Sequence, residues 1–149
     1  MQQVPIVLAE DDEDDQLIVR KAFQQARFRS PLHIVDNGRE LMHYLRGEGR
    51  YQDREAYPMP GLILLDLNMP VMNGEEALAQ IKADKNLQHI PVVILTTSDD
   101  QTGINRCYEL GASTFITKPV TFSGFLNVVS ELQLYWFSLV ALPDDDQTS

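Results

Sequence analysis

The sequence has little cysteine, few basic residues and no long apolar run. Its single cysteine, Cys107, rules out an internal disulfide framework and fits a reducing compartment. Only 12 Lys and Arg stand against 22 Asp and Glu, for a net charge of −10. That balance argues against nonspecific nucleic-acid binding, which depends on basic side chains neutralising phosphates. No apolar stretch approaches the ~20 residues needed to span a bilayer. The start, Met1-Gln2-Gln3-Val4-Pro5, lacks the basic segment and cleavage site of a secretory leader. No internal repeat divides the 149 residues. A chain of this length is expected to form one domain that buries roughly 70% of its unfolded surface. Together these absences predict a cytoplasmic protein that binds neither nucleic acid nor membrane.

What the chain does contain is an alternation of short aliphatic runs with amphipathic stretches. Val4 to Ala9, Leu32 to Val35, Leu62 to Leu67, Val92 to Leu95 and Thr114 to Thr117 read as strands. Helices are predicted over roughly 13–27, then around Leu41, Met42 and Leu45 as far as Gly47, then from Asn73-Gly74 through Ile81, and about 101–110. The last begins near Thr121 or Ser123 and carries Phe125, Val128, Val129, Leu132, Trp136 and Leu139 at spacings of three and four. Its periodicity extends towards Leu142 before Pro143, longer than the ~10–14 residues usual in globular helices. Asp36-Asn37-Gly38 reads as a turn, and residues 47–61 as a loop of about fifteen residues, long for a compact domain. Five strands alternating with five helices predict an α/β fold with a parallel sheet covered on both faces.

The stretch Leu62-Ile63-Leu64-Leu65-Asp66-Leu67-Asn68-Met69-Pro70 places one carboxylate at the end of a run apolar enough for a strand buried on both faces. Such a carboxylate is costly unless something pairs with it. Right-handed crossovers bring all carboxyl strand ends to one edge of the sheet, where ligands bind in open α/β folds. Polar residues sit at four of these ends: Glu10-Asp11, Asp66, Thr96 and Lys118. Clustered carboxylates repel one another, and a hard divalent cation relieves that repulsion. Mg2+ suits a site with two or three carboxylates because it keeps several waters. Lys118 adds a positive charge that can bind a phosphoryl oxygen, and Thr96 adds a hydroxyl. The chemistry that follows is phosphoryl transfer onto Asp66.

Four segments carry a family resemblance: Val7-Leu8-Ala9-Glu10-Asp11, Leu64 through Gly74 around Asp66, Pro91 through Thr96, and Phe115-Ile116-Thr117-Lys118-Pro119. In order and spacing they resemble the receiver domain of two-component response regulators, over about residues 1–133. The resemblance implies a flavodoxin-like (βα)5 fold with strand order 2-1-3-4-5. It implies Asp66 as phosphoacceptor, with Asp11, Asp66 and the Asn68 carbonyl as Mg2+ ligands and Glu10, where the family often has Asp, acting through water. Lys118 would bind the phosphoryl group, Thr96 would swing towards it and Phe115 would repack inward. Asn68 and Ser98 would tune dephosphorylation.

The long loop and the C-terminal aromatic segment resemble, more narrowly, the single-domain regulators of bacterial phytochrome histidine kinases. That subgroup implies a phytochrome kinase as partner and no DNA-binding output domain. It also implies a homodimer through a C-terminal extension, residues 134–149, with Tyr135, Trp136, Leu139 and Leu142 as contacts. Two rivals are weaker. A haloacid-dehalogenase-like phosphatase wants a carboxylate two residues after the nucleophile, where this chain has Asn68. A pseudo-receiver that never takes phosphate would not need Asp11, Asp66, Thr96 and Lys118 together.

Overall fold

The computed structural model describes residues 5–96 and 101–134. Five parallel strands form one sheet in the order β2-β1-β3-β4-β5. They are β1 (Ile6–Ala9), β2 (Leu32–Val35), β3 (Leu62–Asp66), β4 (Val92–Thr96) and β5 (Thr114–Thr117). The helices between them are α1 (Glu13–Gln25), α2 (Gly38–Arg46), α3 (Gly74–Ala83) and α4 (Gln101–Leu110), and α5 covers 122–134. The parallel register sets Ala9 beside Leu65 and Asp66 beside Leu95. The flavodoxin-like α/β architecture is the expected one.

Alternating strand residues face opposite layers, as the pleat requires. Ile6, Leu8, Leu62, Leu64, Val93 and Leu95 pack with Val19, Ala22 and Phe23 of α1 and with Phe125, Val129 and Leu132 of α5. Val7, Ala9, Ile63, Leu65, Val92 and Ile94 pack with α2, α3 and Cys107 of α4. Both faces are therefore covered, which explains why β1, β3 and β4 are aliphatic without alternation.

The helices begin where capping chemistry dictates. Asp12 caps α1, its carboxylate accepting from the N–H groups of Asp14 (2.8 Å) and Asp15 (3.1 Å). Asn73 caps α3 in a reciprocal box with Glu76. Thr121 Oγ1 accepts from the Gly124 N–H at 3.0 Å, so of the two predicted caps of α5 it is the one used. At the end of α1, Arg27 takes a φ of 54° and the Phe28 N–H returns to the Phe23 carbonyl.

Several boundaries differ from the sequence reading: β1 begins at Ile6, not at Val4, and β4 runs one residue further, to Thr96. Helix α1 stops at Gln25 and β3 at Asp66, each short of its expected end. Asn37 is the cap of α2 rather than the middle of a turn, accepting from the Glu40 N–H at 2.9 Å, and Gly38 is already helical. The 47–61 segment contains a short 3-10 turn over Gly49–Tyr51 and is anchored by its own aromatics. Tyr44, Tyr51 and Tyr57 meet ring to ring at 5.1–5.8 Å, with His33 of β2 against Tyr44 and Tyr57. Burial pushes the phenols of Tyr44 and Tyr51 up to about 12. The expected extension of the last helix and the contacts Tyr135, Trp136, Leu139 and Leu142 lie outside the described residues. No described helix is long and apolar enough to cross a membrane.

Candidate functional site

The carboxyl edge of the sheet assembles its polar residues by strand geometry. Glu10 follows β1 directly, and its N–H still bonds the Val35 carbonyl of β2 at 3.0 Å. This pairing keeps its side chain over the sheet edge, where it is 1% exposed. Gln16 of α1 braces the turn, its amide donating to the Glu10 carbonyl and to Asp36 Oδ1. Asp66 is the last residue of β3 and is buried. The Asn68 N–H donates to Asp66 Oδ1 at 3.3 Å, which fixes one carboxylate oxygen and leaves the other facing Lys118. Gly74 closes the loop behind them: a Cβ there would overlap the Asp66 carbonyl, so no larger residue lets α3 start so close to the strand.

Lys118 comes from the far side of the sheet. Its N–H donates to the Thr96 carbonyl at 2.7 Å, extending the β4–β5 ladder by one residue. Its Nζ lies 2.7 Å from Glu10 Oε1, 2.9 Å from Asp15 Oδ2 and 3.1 Å from Asp66 Oδ2. One ammonium thus joins three carboxylates, from the turn after β1, from α1 and from β3. Glu10, Asp11 and Asp66 each offer a carboxylate oxygen, all within 4.8 Å of one another, with Asp11 on the exposed side.

The electrostatics follow from this crowding. Burial pushes the Glu10 carboxyl up to about 7, against the opposing pull of Lys118 and the Asp12 N–H, and the Asp66 charge adds to the rise. Burial alone would lower the Lys118 ammonium, but its bonds to Glu10 and Asp15 and the charge of Asp66 hold it above an ordinary lysine. Three carboxylates share one ammonium, and a fourth, Asp11, lies beside Glu10 and Asp66, so the site carries more negative than positive charge when all are ionised. A divalent cation with oxygen ligands is the group this donor set fits. Asp66 Oδ2 sits 3.1 Å from Lys118, where the lysine and a bound cation would share negative charge brought to that oxygen.

The remaining predicted residues are placed as follows. Thr96 ends β4 at the same edge and is 1% exposed. Phe115 lies in β5, half-buried against the core layer that α2, α3 and α4 cover, its ring 4.2 Å from that of exposed Tyr108 on α4. Asn68 is exposed and lines a cleft of about 200 Å3 with Asn73, Glu75, Thr102 and Arg106. Ser98 lies outside the described residues. Asp15 is the residue that sequence reasoning missed, since an acidic first helical turn reads as a response to the helix dipole.

Comparison with known proteins places this geometry. A family model described as "Response regulator receiver domain" matches residues 6–130. The chain is 35% identical over 138 residues to the response regulator Rcp1 of Synechocystis sp., covering 93% of this chain and 92% of that protein. The crystal structure of the phosphorylated cyanobacterial phytochrome response regulator RcpA superposes with a TM-score of 0.84 at 36% identity, covering 93% of this chain and 96% of that one. The Mn(2+)-bound form of Rcp1 superposes with a TM-score of 0.79 at 34% identity, covering 89% of this chain and 94% of that one.

Proposed function

The chain belongs to the response regulator receiver family, and on that premise we propose that it is a phosphoacceptor switch driven by a phytochrome histidine kinase. The observation that carries this reading is the contact of Lys118 Nζ with Asp66 Oδ2 at 3.1 Å, beside the carboxylates of Glu10 and Asp11. It supports reading this one point as the meeting of a nucleophilic oxygen, a phosphoryl-binding cation and a divalent-ion site.

In the proposed reaction an Asp66 oxygen attacks the phosphorus of a phosphohistidine on the kinase. The new O–P bond forms as the P–N bond breaks, and the imidazole leaves. Asp11, Asp66 and the Asn68 carbonyl are the residues that would hold Mg2+, with Glu10 acting through water. The ion supplies charge neutralisation on the transferring phosphoryl oxygens. Lys118 exchanges a carboxylate partner for a phosphoryl oxygen. Thr96 donates its hydroxyl to that group, and Phe115 follows it towards the core, which alters the β4–β5 surface. Water later cleaves the acyl phosphate at a rate that Asn68 and Ser98 tune, so catalysis is confined to loss of the protein's own phosphoryl group.

The similarity to the phytochrome response regulator RcpA supports a phytochrome kinase as the donor. We divide the chain into a receiver unit, 1–133, and an extension, 134–149, that pairs two copies through Tyr135, Trp136, Leu139 and Leu142. Sedimentation as a monomer at tens of micromolar, with and without an acyl-phosphate mimic, would refute the dimer. The central test is Asp66→Asn. Labelling by the phosphorylated kinase is abolished in the variant; persistent labelling overturns the assignment.

A further inference from the structure

Helix α1 opens with three acids, Glu13, Asp14 and Asp15, whose bland explanation is favourable interaction with the helix N-terminus. That account treats the three alike, but the structure does not. Glu13 and Asp14 are exposed, whereas Asp15 turns inward and meets Lys118 Nζ at 2.9 Å. This contact is shorter than that between Lys118 and Asp66, 3.1 Å. Lys118 does not need Asp15 to stay at the site, because Glu10 Oε1 already holds it at 2.7 Å. Nor does Asp15 belong to the group of carboxylates close enough to share one metal ion, which is Glu10, Asp11 and Asp66. What Asp15 adds is a negative charge on the one ammonium that an incoming phosphoryl group requires.

We propose that Asp15 is a positioning residue that restrains phosphoryl uptake, by holding Lys118 through its own carboxylate and by adding a repulsive charge at the edge of the site. A phosphoryl anion arriving at Asp66 must draw Lys118 away from Asp15, and each oxygen it brings is repelled by a carboxylate that the divalent ion does not neutralise. The same charge works in the opposite direction on a cation, which it attracts. Asp15 therefore raises affinity for the metal while lowering affinity for the anion. The inference rests on the phosphoacceptor reading above and deepens it by naming what sets the strength of that reaction.

The test is Asp15→Asn in the full chain. This variant keeps the side-chain shape and removes the charge. Mg2+ alone is titrated by calorimetry, and beryllium fluoride is then titrated at saturating Mg2+ and followed by 19F NMR. Asp15→Asn is expected to weaken Mg2+ binding and tighten beryllofluoride binding, each about two- to fivefold, the size of one charge–charge interaction in a partly exposed pair. Asp15→Glu is expected to return both values towards those of the wild type. A residue that merely supported α1 would weaken both ligands together, and that result, or no change in beryllofluoride affinity, overturns the inference alone. Failure of the wild-type protein to bind beryllofluoride overturns the phosphoacceptor reading and this inference with it.

Discussion

The backbone N–H of Gly38 donates to the Met72 carbonyl at 3.0 Å, tying the first residue of α2 to the loop that leaves Asp66. That loop is tightly wound. The Met72 N–H reaches back to the Pro70 carbonyl at 2.7 Å around Val71, whose φ of 68° is unusual for a β-branched residue. A Cβ on Gly38 would overlap the Met72 carbonyl oxygen and press on its carbonyl carbon and Cγ. The obstacle is mostly backbone, so no rotamer change relieves it. Gly38→Ala is therefore expected to lower stability by about 2 kcal/mol, although alanine is the better helix former by about 1 kcal/mol. Urea unfolding measures this directly. An unchanged or higher midpoint would mean that the loop moves freely away from α2.

Arg54 gives the 47–61 segment a structural task. Its guanidinium donates to the carbonyls of Tyr44 (2.8 Å) and Leu45 (3.1 Å) in the last turn of α2, and to that of Tyr51 at 3.3 Å. Helix ends leave carbonyls short of partners, and here Arg54 adds to the bond that the Tyr44 carbonyl already accepts from the Gly47 N–H at 3.1 Å. Arg54→Ala is expected to cost about 1–2 kcal/mol, as for the loss of several hydrogen bonds to a charged group in a half-buried place. The same variant is expected to be cut faster within 47–61 by a nonspecific protease at native temperature. Equal cleavage rates would show that the tyrosine cluster alone holds the segment.

Asp66 and Lys118 are legible in the sequence because each is an ionisable residue at the end of a strand-forming run, and parallel strands carry such ends to one edge. The two-sided burial of β3 and β4 is legible for the same reason. Asp15 is not, because its partner lies on the last strand and nothing in the first helical turn distinguishes it from Glu13 and Asp14. Gly38 is not, because Asp36-Asn37-Gly38 is equally good turn chemistry and cap chemistry until the Met72 carbonyl is in place. The order within 47–61 depends on tyrosines from two segments meeting His33 on β2, a tertiary event that local polarity conceals.

His33 makes stability sensitive to mild acid. Burial, aided by the charge of Arg20, lowers its pKa from the ordinary 6.5 in the folded state. The folded protein therefore prefers the neutral ring between Tyr44 and Tyr57, while the unfolded chain takes up a proton as pH falls through its ordinary value. More protons bound in the unfolded state means that stability declines as pH drops. The contribution is complete above about pH 7 and is lost progressively on acidification through 6.5 down to the folded pKa. His33→Gln is expected to flatten this slope between about pH 7.5 and 5.5, seen as the difference between wild-type and variant urea midpoints. Parallel pH profiles for the two proteins would refute it.

Lys118 is the one ammonium that the described residues bring to Glu10, Asp15 and Asp66. Lys118→Ala leaves Glu10, 1% exposed, and buried Asp66 side by side without a counter-charge. Removing one partner of a buried ion pair typically costs about 3 kcal/mol, because the other charge stays desolvated. The strain can be relieved by a cation, and the carboxylates of Glu10, Asp11 and Asp66 are close enough to hold one. A ligand that binds only the folded form stabilises it more, the tighter it binds. The variant, with a more negative site, should bind Mg2+ more tightly than the wild type. Melting in EDTA is therefore expected to place Lys118→Ala well below the wild type, and saturating magnesium chloride should raise the variant by more degrees than the wild type. Sodium chloride at matched ionic strength should not reproduce that difference. Equal gains for the two proteins would show that the lysine and the cation do not share the same carboxylates, and the arrangement of charge proposed around Asp66 would fail with them.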